Sequence, residues 1–271
     1  MISFDFSDKH VVVVGGTSGI NRGIARAFAA QGARVVVASR SLEKVNDTVR
    51  ELEALGAKAW GFNADVRDYD AIEAGFGQAG DKYGDIDVLI SGAAGNFPAL
   101  ANSMSANAFK SVVDIDLLGT FNVLRASFPH LKKPGASVIN ISAPQAQLAM
   151  VGQSHVCAAK AGVDMITKSL SMEWGCDGVR VNSIIPGPIA GTEGMKRLAP
   201  TQEMMEACRQ SVSLKRIGQP EDIANTALFL SSSMASFISG AIIPVDGGWV
   251  NGGAAAMGVA MEGMLRKLSQ K

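Results

Sequence analysis

The sequence predicts a doubly wound α/β fold: one Rossmann-like parallel sheet of about seven strands, with helices on both faces. Three observations carry that expectation. Residues 11–14 are four consecutive valines, and an uninterrupted β-branched run reads as a strand buried on both faces, the habit of parallel sheets. A glycine-bearing turn follows, Gly15-Gly16-Thr17-Ser18-Gly19-Ile20. Its missing Cβ atoms let backbone N–H groups approach a diphosphate, and a helix starting near Ile20 points its positive end at the same place. Strand-like and helix-like segments then alternate to the end of the chain, with no linker, repeat or low-complexity stretch, which describes one domain over residues 1–271.

The first helix is marked by Ile24 and Phe28, and the second strand covers residues 34–38. After Ser39-Arg40-Ser41 a helix carries Leu42, Val45, Val49, Leu52 and Leu55 at spacings of three and four, with Gly56 as its stop. A third strand at 57–62 runs into Asn63-Ala64-Asp65-Val66-Arg67, and a helix then reaches about Tyr83. The fourth strand is 86–90. Long helices cover 106–131 and 155–174, separated by a strand at 137–141. The sixth strand, 179–185, ends at Pro186-Gly187-Pro188, and a last helix from Pro220 leads to a strand closing on Pro244-Val245-Asp246. The tail 251–271, rich in Gly, Ala and Met, is either a subunit contact or a free end.

Composition bounds the function. A chain of 271 residues, 47% hydrophobic and 18% charged, buries a sizeable core. Its 25 basic and 25 acidic residues balance, which gives no electrostatic reason to expect nucleic acid as a partner. The start, Met1-Ile2-Ser3-Phe4-Asp5-Phe6, is not a basic-then-apolar leader, and no apolar run of about 18 residues follows, so no membrane association is expected and the chain reads as soluble and cytoplasmic. Cys157, Cys176 and Cys208 are unevenly spaced, which indicates neither a disulfide framework nor a zinc site. No metal is expected.

In such a sheet, ligands bind beyond the carboxyl ends of the strands. The candidate positions are therefore Gly15, Thr17, Ser18, Gly19 and Ile20, then Ser39 and Arg40, the Asp65 to Arg67 segment, Ser91 to Phe97, Ser142 onward, and Pro186 to Thr192. Where a protein preferring NAD usually carries Asp or Glu, this chain has Ser39-Arg40. A guanidinium binds a 2′-phosphate that a carboxylate would repel. NADP(H) is the expected cofactor, by about 1.5–3 kcal/mol for one charged hydrogen bond.

Glycine, three residues, glycine is the spacing of the short-chain dehydrogenases/reductases, which this chain resembles in order up to about Trp249. One position departs from the pattern: Asn21 stands where a third glycine is usual, and asparagine tolerates left-handed backbone better than most side chains. The resemblance implies that Asp65 and Val66 lie against the adenine. It also implies that Gly92 and Ala93, in the small-residue run Ser91 to Gly95, let the cofactor lie close to the backbone, and that Pro186, Gly187, Ile189 and Thr192 hold the nicotinamide carboxamide. Lys160 matches the lysine of the family's Tyr-x-x-x-Lys, but Val156 stands in the tyrosine's place, Ala143 in that of the catalytic serine, and Asp116 in that of an asparagine. His155 sits about 100° around the helix from the tyrosine site and is expected to pack elsewhere.

Gly95-Asn96-Phe97 and the segments 107–116, 119–123, 155–160 and 191–198 are similar to those of the NADPH-dependent 2,4-dienoyl-CoA reductases, most of all the peroxisomal type. The closing Ser269-Gln270-Lys271 is not a peroxisomal address. This resemblance implies hydride transfer to C5 of a 2,4-dienoyl thioester, with Asp116 as the acid acting through water and Lys160 holding the ribose. It further implies that Arg67, Phe97, Ser105 and Arg197 contact an acyl-CoA, with Arg40 available to its phosphates as well, and that the protein is a homotetramer. Two alternatives stand beside it: reduction of another enoyl or oxo thioester or a small enone, with CoA or a carrier protein delivering the acyl group, and a non-catalytic NADPH-binding sensor.

Overall fold

A computed structural model describes residues 4–268; Met1-Ile2-Ser3 and Ser269-Gln270-Lys271, including the terminal tripeptide read above as no address, lie outside the described residues. The strands β1 (His10–Val14), β2 (Arg34–Ser39), β3 (Ala59–Asn63), β4 (Val88–Ser91), β5 (Ser137–Ile141), β6 (Arg180–Pro186) and β7 (Ile242–Val245) form one seven-stranded sheet in the order β3-β2-β1-β4-β5-β6-β7. Every neighbouring pair is parallel. The first three strands wind one way from β1, and β4 is laid on its other side, Val14 facing Ser91. The order reverses there, which opens a crevice beyond the ends of β1 and β4.

The valine run is explained by two buried layers. Val11 and Val13 join Val35 and Val37 in a core with Ile24 and Phe28 of α1 (Gly19–Ala30) and Ile223 and Leu228 of α9 (Pro220–Ser231). Val12, Val14 and Val36 pack on the opposite face against Ile72 and Phe76 of α3 (Tyr69–Tyr83), Leu124 of α5 (Gly119–Ser127) and Leu170 of α6 (Ser154–Glu173). The helix α2 (Leu42–Ala54) completes the first layer through Val45 and Leu52.

The stretch 106–131 is not one helix. It divides into α4 (Ala106–Val113), a π-helical turn over Asp114–Leu118, α5, and a short 3₁₀ turn at Phe128–His130. The sequence Asp-Ile-Asp-Leu-Leu of the π turn contains no glycine or proline, so its helical periodicity passes unbroken. At this turn Asp116 points inward to the Gly95 N–H, and the Thr120 hydroxyl, four residues on, donates to the Asp116 carbonyl at 2.7 Å. π turns concentrate at functional sites.

Two helices that the alternation did not reveal, α7 (Glu193–Leu198) and α8 (Gln202–Ser211), lie between β6 and α9. Met195, Ala199, Cys208 and Val212 pack there with Met150 and Trp249 as a small separate core. The tail, left open between two fates, forms α10 (Gly253–Leu268) and packs on its own chain: Ala254, Met261 and Leu265 are buried, and Leu265 lies against Gly152, in the loop before α6. Among the described residues no helix is long and apolar enough to cross a membrane, and no cluster of His, Cys, Asp and Glu could hold a metal ion.

If α10 belongs to the fold, Leu265→Ala should cost about 2 kcal/mol, the lower end for a buried leucine. Thermal denaturation should then show a Tm lower by about 4–8 °C, whereas an unchanged Tm would make α10 an appendage.

Candidate active site

Two cavities meet beyond the ends of β1 and β4, with volumes of about 270 and 320 Å³. Ser18, Asn21, Gly92 and Ala94 line both.

The smaller cavity is walled by the glycine turn and the ends of β2 and β3. Gly15 has φ +79° and Gly19 φ +51°, the left-handed region that glycine enters without penalty. A Cβ on Gly15 would stand 3.0 Å from the Gly92 carbonyl and the Ala93 nitrogen, so the turn can press this close to the β4 loop only as glycine. Thr17, Ser18, Ser39, Arg40, Asp65, Val66 and Ala93 all line this space. Arg40 is exposed, and its guanidinium makes no hydrogen bond or ion pair with the described residues. Lys44 also lines the cavity; the sequence reading missed it, although it lies four residues beyond Arg40, in the first turn of α2. Ser41 fixes that turn by accepting from the Lys44 backbone N–H at 3.3 Å. Asp65 is occupied by Arg67, which reaches both of its carboxyl oxygens (2.6 and 3.0 Å). The guanidinium hydrogen bonds hold the Asp65 carboxyl down to about 2.

The larger cavity collects Gly19, Ile20, Asp116, Ser142, Ala143, Val156, Lys160, Pro186, Gly187, Ile189 and Thr192, with Met195, Leu198, Cys208 and Trp249 at an apolar end. Asp116 is 1% exposed. Its Oδ1 accepts from the Gly95 N–H at 2.6 Å, and its Oδ2 lies 3.5 Å from Lys160 Nζ. Lys160 Nζ donates to the Ile141 carbonyl at 3.0 Å, at the end of β5. Burial pushes the Asp116 carboxyl above the ordinary carboxylate range, against the opposing pull of the Lys160 charge and the Gly95 hydrogen bond. Asp164, one turn beyond Lys160 on α6, is pushed the same way by burial and receives the Ser183 hydroxyl at 3.2 Å. Both positions therefore favour a protonated carboxyl more than water does.

Val156 faces this cavity and His155 does not: the imidazole is fully buried against Phe97, ring centroids 4.6 Å apart, and burial holds it below its ordinary value. The phase argument for His155 thus agrees with the packing. The four residues carried over as acyl-CoA contacts line neither cavity. Arg67 is tied to Asp65, Phe97 to His155, Ser105 caps α4 by accepting from the Ala108 N–H at 3.1 Å, and the Arg197 guanidinium donates to the Asn96 carbonyl. Arg197 touches the larger cavity's wall through Asn96, which lines it, as Arg67 touches the smaller one's through Asp65.

Asn21 differs from the expectation. It lies inside α1 with ordinary helical backbone and needs no left-handed conformation. Its side chain instead crosses to β4, Nδ2 donating to the Gly92 carbonyl at 2.8 Å. A glycine on the other side makes the room: a Cβ on Gly92 would meet Asn21 Nδ2 at 2.4 Å.

The family model described as enoyl-(acyl carrier protein) reductase matches residues 14–250. The peroxisomal 2,4-dienoyl-CoA reductase, (3E)-enoyl-CoA-producing, of Rattus norvegicus is 42% identical over 243 residues, 89% of this chain and 83% of that protein. The probable 2,4-dienoyl-CoA reductase, (2E)-enoyl-CoA-producing, of Bacillus subtilis is 38% identical over 247 residues, 90% of this chain and 97% of that one. Among solved structures, a short chain dehydrogenase from Bacillus anthracis matches with a TM-score of 0.82 at 40% identity, covering 89% of this chain and 96% of its own.

The Asn21–Gly92 contact makes a reciprocal prediction. Gly92→Ala should destabilise the protein by about 1–3 kcal/mol through overpacking, and adding Asn21→Gly should restore most of the loss. Equal Tm values for Gly92→Ala with and without the second change would show that the side chain yields freely.

Proposed function

The chain belongs to the short-chain dehydrogenase/reductase family, and from that premise we propose that it is an NADPH-dependent reductase of conjugated acyl thioesters, converting a 2,4-dienoyl-CoA to a 3-enoyl-CoA. The observation that carries this reading is the wall of the larger cavity. Asp116 and Lys160 stand there side by side, whereas the chain's two tyrosines, Tyr69 and Tyr83, are both on α3 and outside it. A reductase that protonates a carbonyl oxygen through a phenol lacks its acid here, and Val156 and Ala143 occupy the wall beside Lys160 with no proton to give. A buried carboxyl with a raised pKa is a proton source suited to carbon.

The smaller cavity fits a dinucleotide's adenine half. Its glycines admit backbone close to phosphate oxygens, and Arg40 with Lys44 supplies two cations where a 2′-phosphate would lie. NADPH held there would supply a hydride to C5 of the dienoyl thioester, leaving negative charge to be stabilised from C4 to the thioester oxygen. The chain's own residues do the rest. Lys160, buried and fixed to the Ile141 carbonyl, holds the ribose and places a positive field beside the developing charge. Asp116 releases its proton to C2 through an ordered water, which gives the 3-enoyl product. Met195, Leu198 and Trp249 offer an apolar wall to the acyl chain, and the exposed Arg197 offers charge to the phosphates of CoA.

The sign of the pH dependence follows from the role. An acid must be protonated before the step, and burial raises the Asp116 pKa, so turnover should hold through the ordinary carboxylate range and fall as pH rises through the raised value. The purified protein should oxidise NADPH with 2,4-hexadienoyl- or 2,4-decadienoyl-CoA and not with crotonyl- or acetoacetyl-CoA. Asp116→Ala should lower kcat by about 10²–10⁴-fold with little change in the NADPH Kd, and the descending pH limb should vanish from what remains. Turnover unaltered by this substitution would sink the assignment.

Cofactor choice rests on a different pair of residues. Arg40→Ala should weaken NADPH by about 10–100-fold, as expected for one charge-assisted hydrogen bond, and leave NADH binding nearly unchanged. Calorimetric titration with the two cofactors reads the difference directly, and parallel losses for both would remove Arg40 from the 2′-phosphate.

A further inference from the structure

Asn21 stands with Ser18, Gly92 and Ala94 where the two cavities join, and its chemistry is only half used. The residue is 8% exposed. Nδ2 is spent on the Gly92 carbonyl, while Oδ1 is buried without a hydrogen-bond partner. The amide cannot turn over to relieve this, because the exchange would set Oδ1 against the Gly92 carbonyl oxygen. The Gly92 bond therefore fixes an unsatisfied acceptor on a wall common to both cavities. A buried acceptor left unmade is costly, and a glycine, the usual residue in this pattern, would carry no such cost.

We propose that Asn21 is a cofactor-positioning residue whose Oδ1 accepts a hydrogen bond from the nicotinamide half of the bound dinucleotide. The inference rests on the dinucleotide reading above. The ligand's own groups select the donor. Diphosphate oxygens have no proton to give at neutral pH, and the adenosine ribose belongs with Ser39 and Arg40 at the far end of the smaller cavity. The nicotinamide ribose hydroxyls and carboxamide N–H remain, on the side that Asn21 shares with Asp116 and Lys160. In this role the side chain does two things at once: it ties the glycine turn to the β4 loop through Gly92, and it sets the nicotinamide half against that loop. Gly15 and Gly92 are the two residues whose missing Cβ atoms leave it room, at 3.1 and 2.4 Å from Nδ2 respectively.

The test compares two ligands that share an adenine half. NADPH spans both cavities, whereas 2′,5′-ADP lacks the nicotinamide half altogether. Asn21→Ala should raise the NADPH Kd by about 3–10-fold, the size of one neutral hydrogen bond, and leave the 2′,5′-ADP Kd unchanged, both measured by calorimetry on the full chain. Asn21→Gly, which installs the usual residue, should reproduce the split and carries the test if the alanine variant folds poorly. Equal weakening of both ligands would reduce Asn21 to a structural latch and overturn the proposal, as would NADPH binding that is unaltered in both variants. Failure of the unsubstituted protein to bind either ligand would strike the dinucleotide reading itself and the proposal with it; normal 2′,5′-ADP binding in every variant keeps the two failures apart.

Discussion

The ammonium of Lys160 is the constraint around which the site is assembled. Lys160 is 4% exposed, and a buried ammonium is costly unless polar groups stand around it. Two elements far from α6 in sequence surround it: the end of β5 gives the Ile141 carbonyl at 3.0 Å, and the π turn places Asp116 Oδ2 3.5 Å away. Each can reach the ammonium only if β5, the α4–α5 helical segment and α6 are held at fixed distances. Asp116 extends the constraint further, since its other oxygen takes the Gly95 N–H and so fixes the β4 loop that borders both cavities. A requirement to hold one buried ammonium thus orders the β4-loop, β5 and α6 sides of the larger cavity.

How much of this was legible in the sequence depended on whether the signal was local. The valines of β1 announce two buried faces because each residue's neighbours in the chain already imply the layers. Gly15 and Gly19 announce a turn because only their backbone conformations permit one there. Asp116, by contrast, was visible only through resemblance, and its geometry was not visible at all: its partner is a Gly95 N–H 21 residues away. The same holds for Asn21, where reading a departure from a glycine pattern as a matter of backbone tolerance overlooked the side chain's reach across the sheet to Gly92. Lys44 was missed for a smaller reason. Its spacing from Arg40 was available, but only the capped start of α2 shows that both belong to one cavity.

The two cavities divide the work along a physical line. On the proposed reading the smaller one binds with backbone and with cations that remain in water, so its selectivity is electrostatic. The larger one is built from groups that the core has desolvated, and its chemistry is a consequence of that burial. Phe97 and His155 illustrate the difference: named for binding or weighed for acid chemistry, both are taken up in packing on each other, and the helix phase leaves Val156 to face the cavity.

Val156 and Asp116 then act on the same property. Both line the larger cavity, and desolvation by burial is the largest cause of the rise in the Asp116 pKa. A phenol in place of Val156 would have brought its own proton and a polar group, and would have stabilised the ionised carboxylate by hydrogen bonding. In the proposed mechanism its absence leaves the carboxyl as the proton carrier beside Lys160. On the proposed reading, loss of the usual acid and gain of a new one are one change of environment: the wall that cannot donate a proton is what lets Asp116 keep one until the carbanion forms.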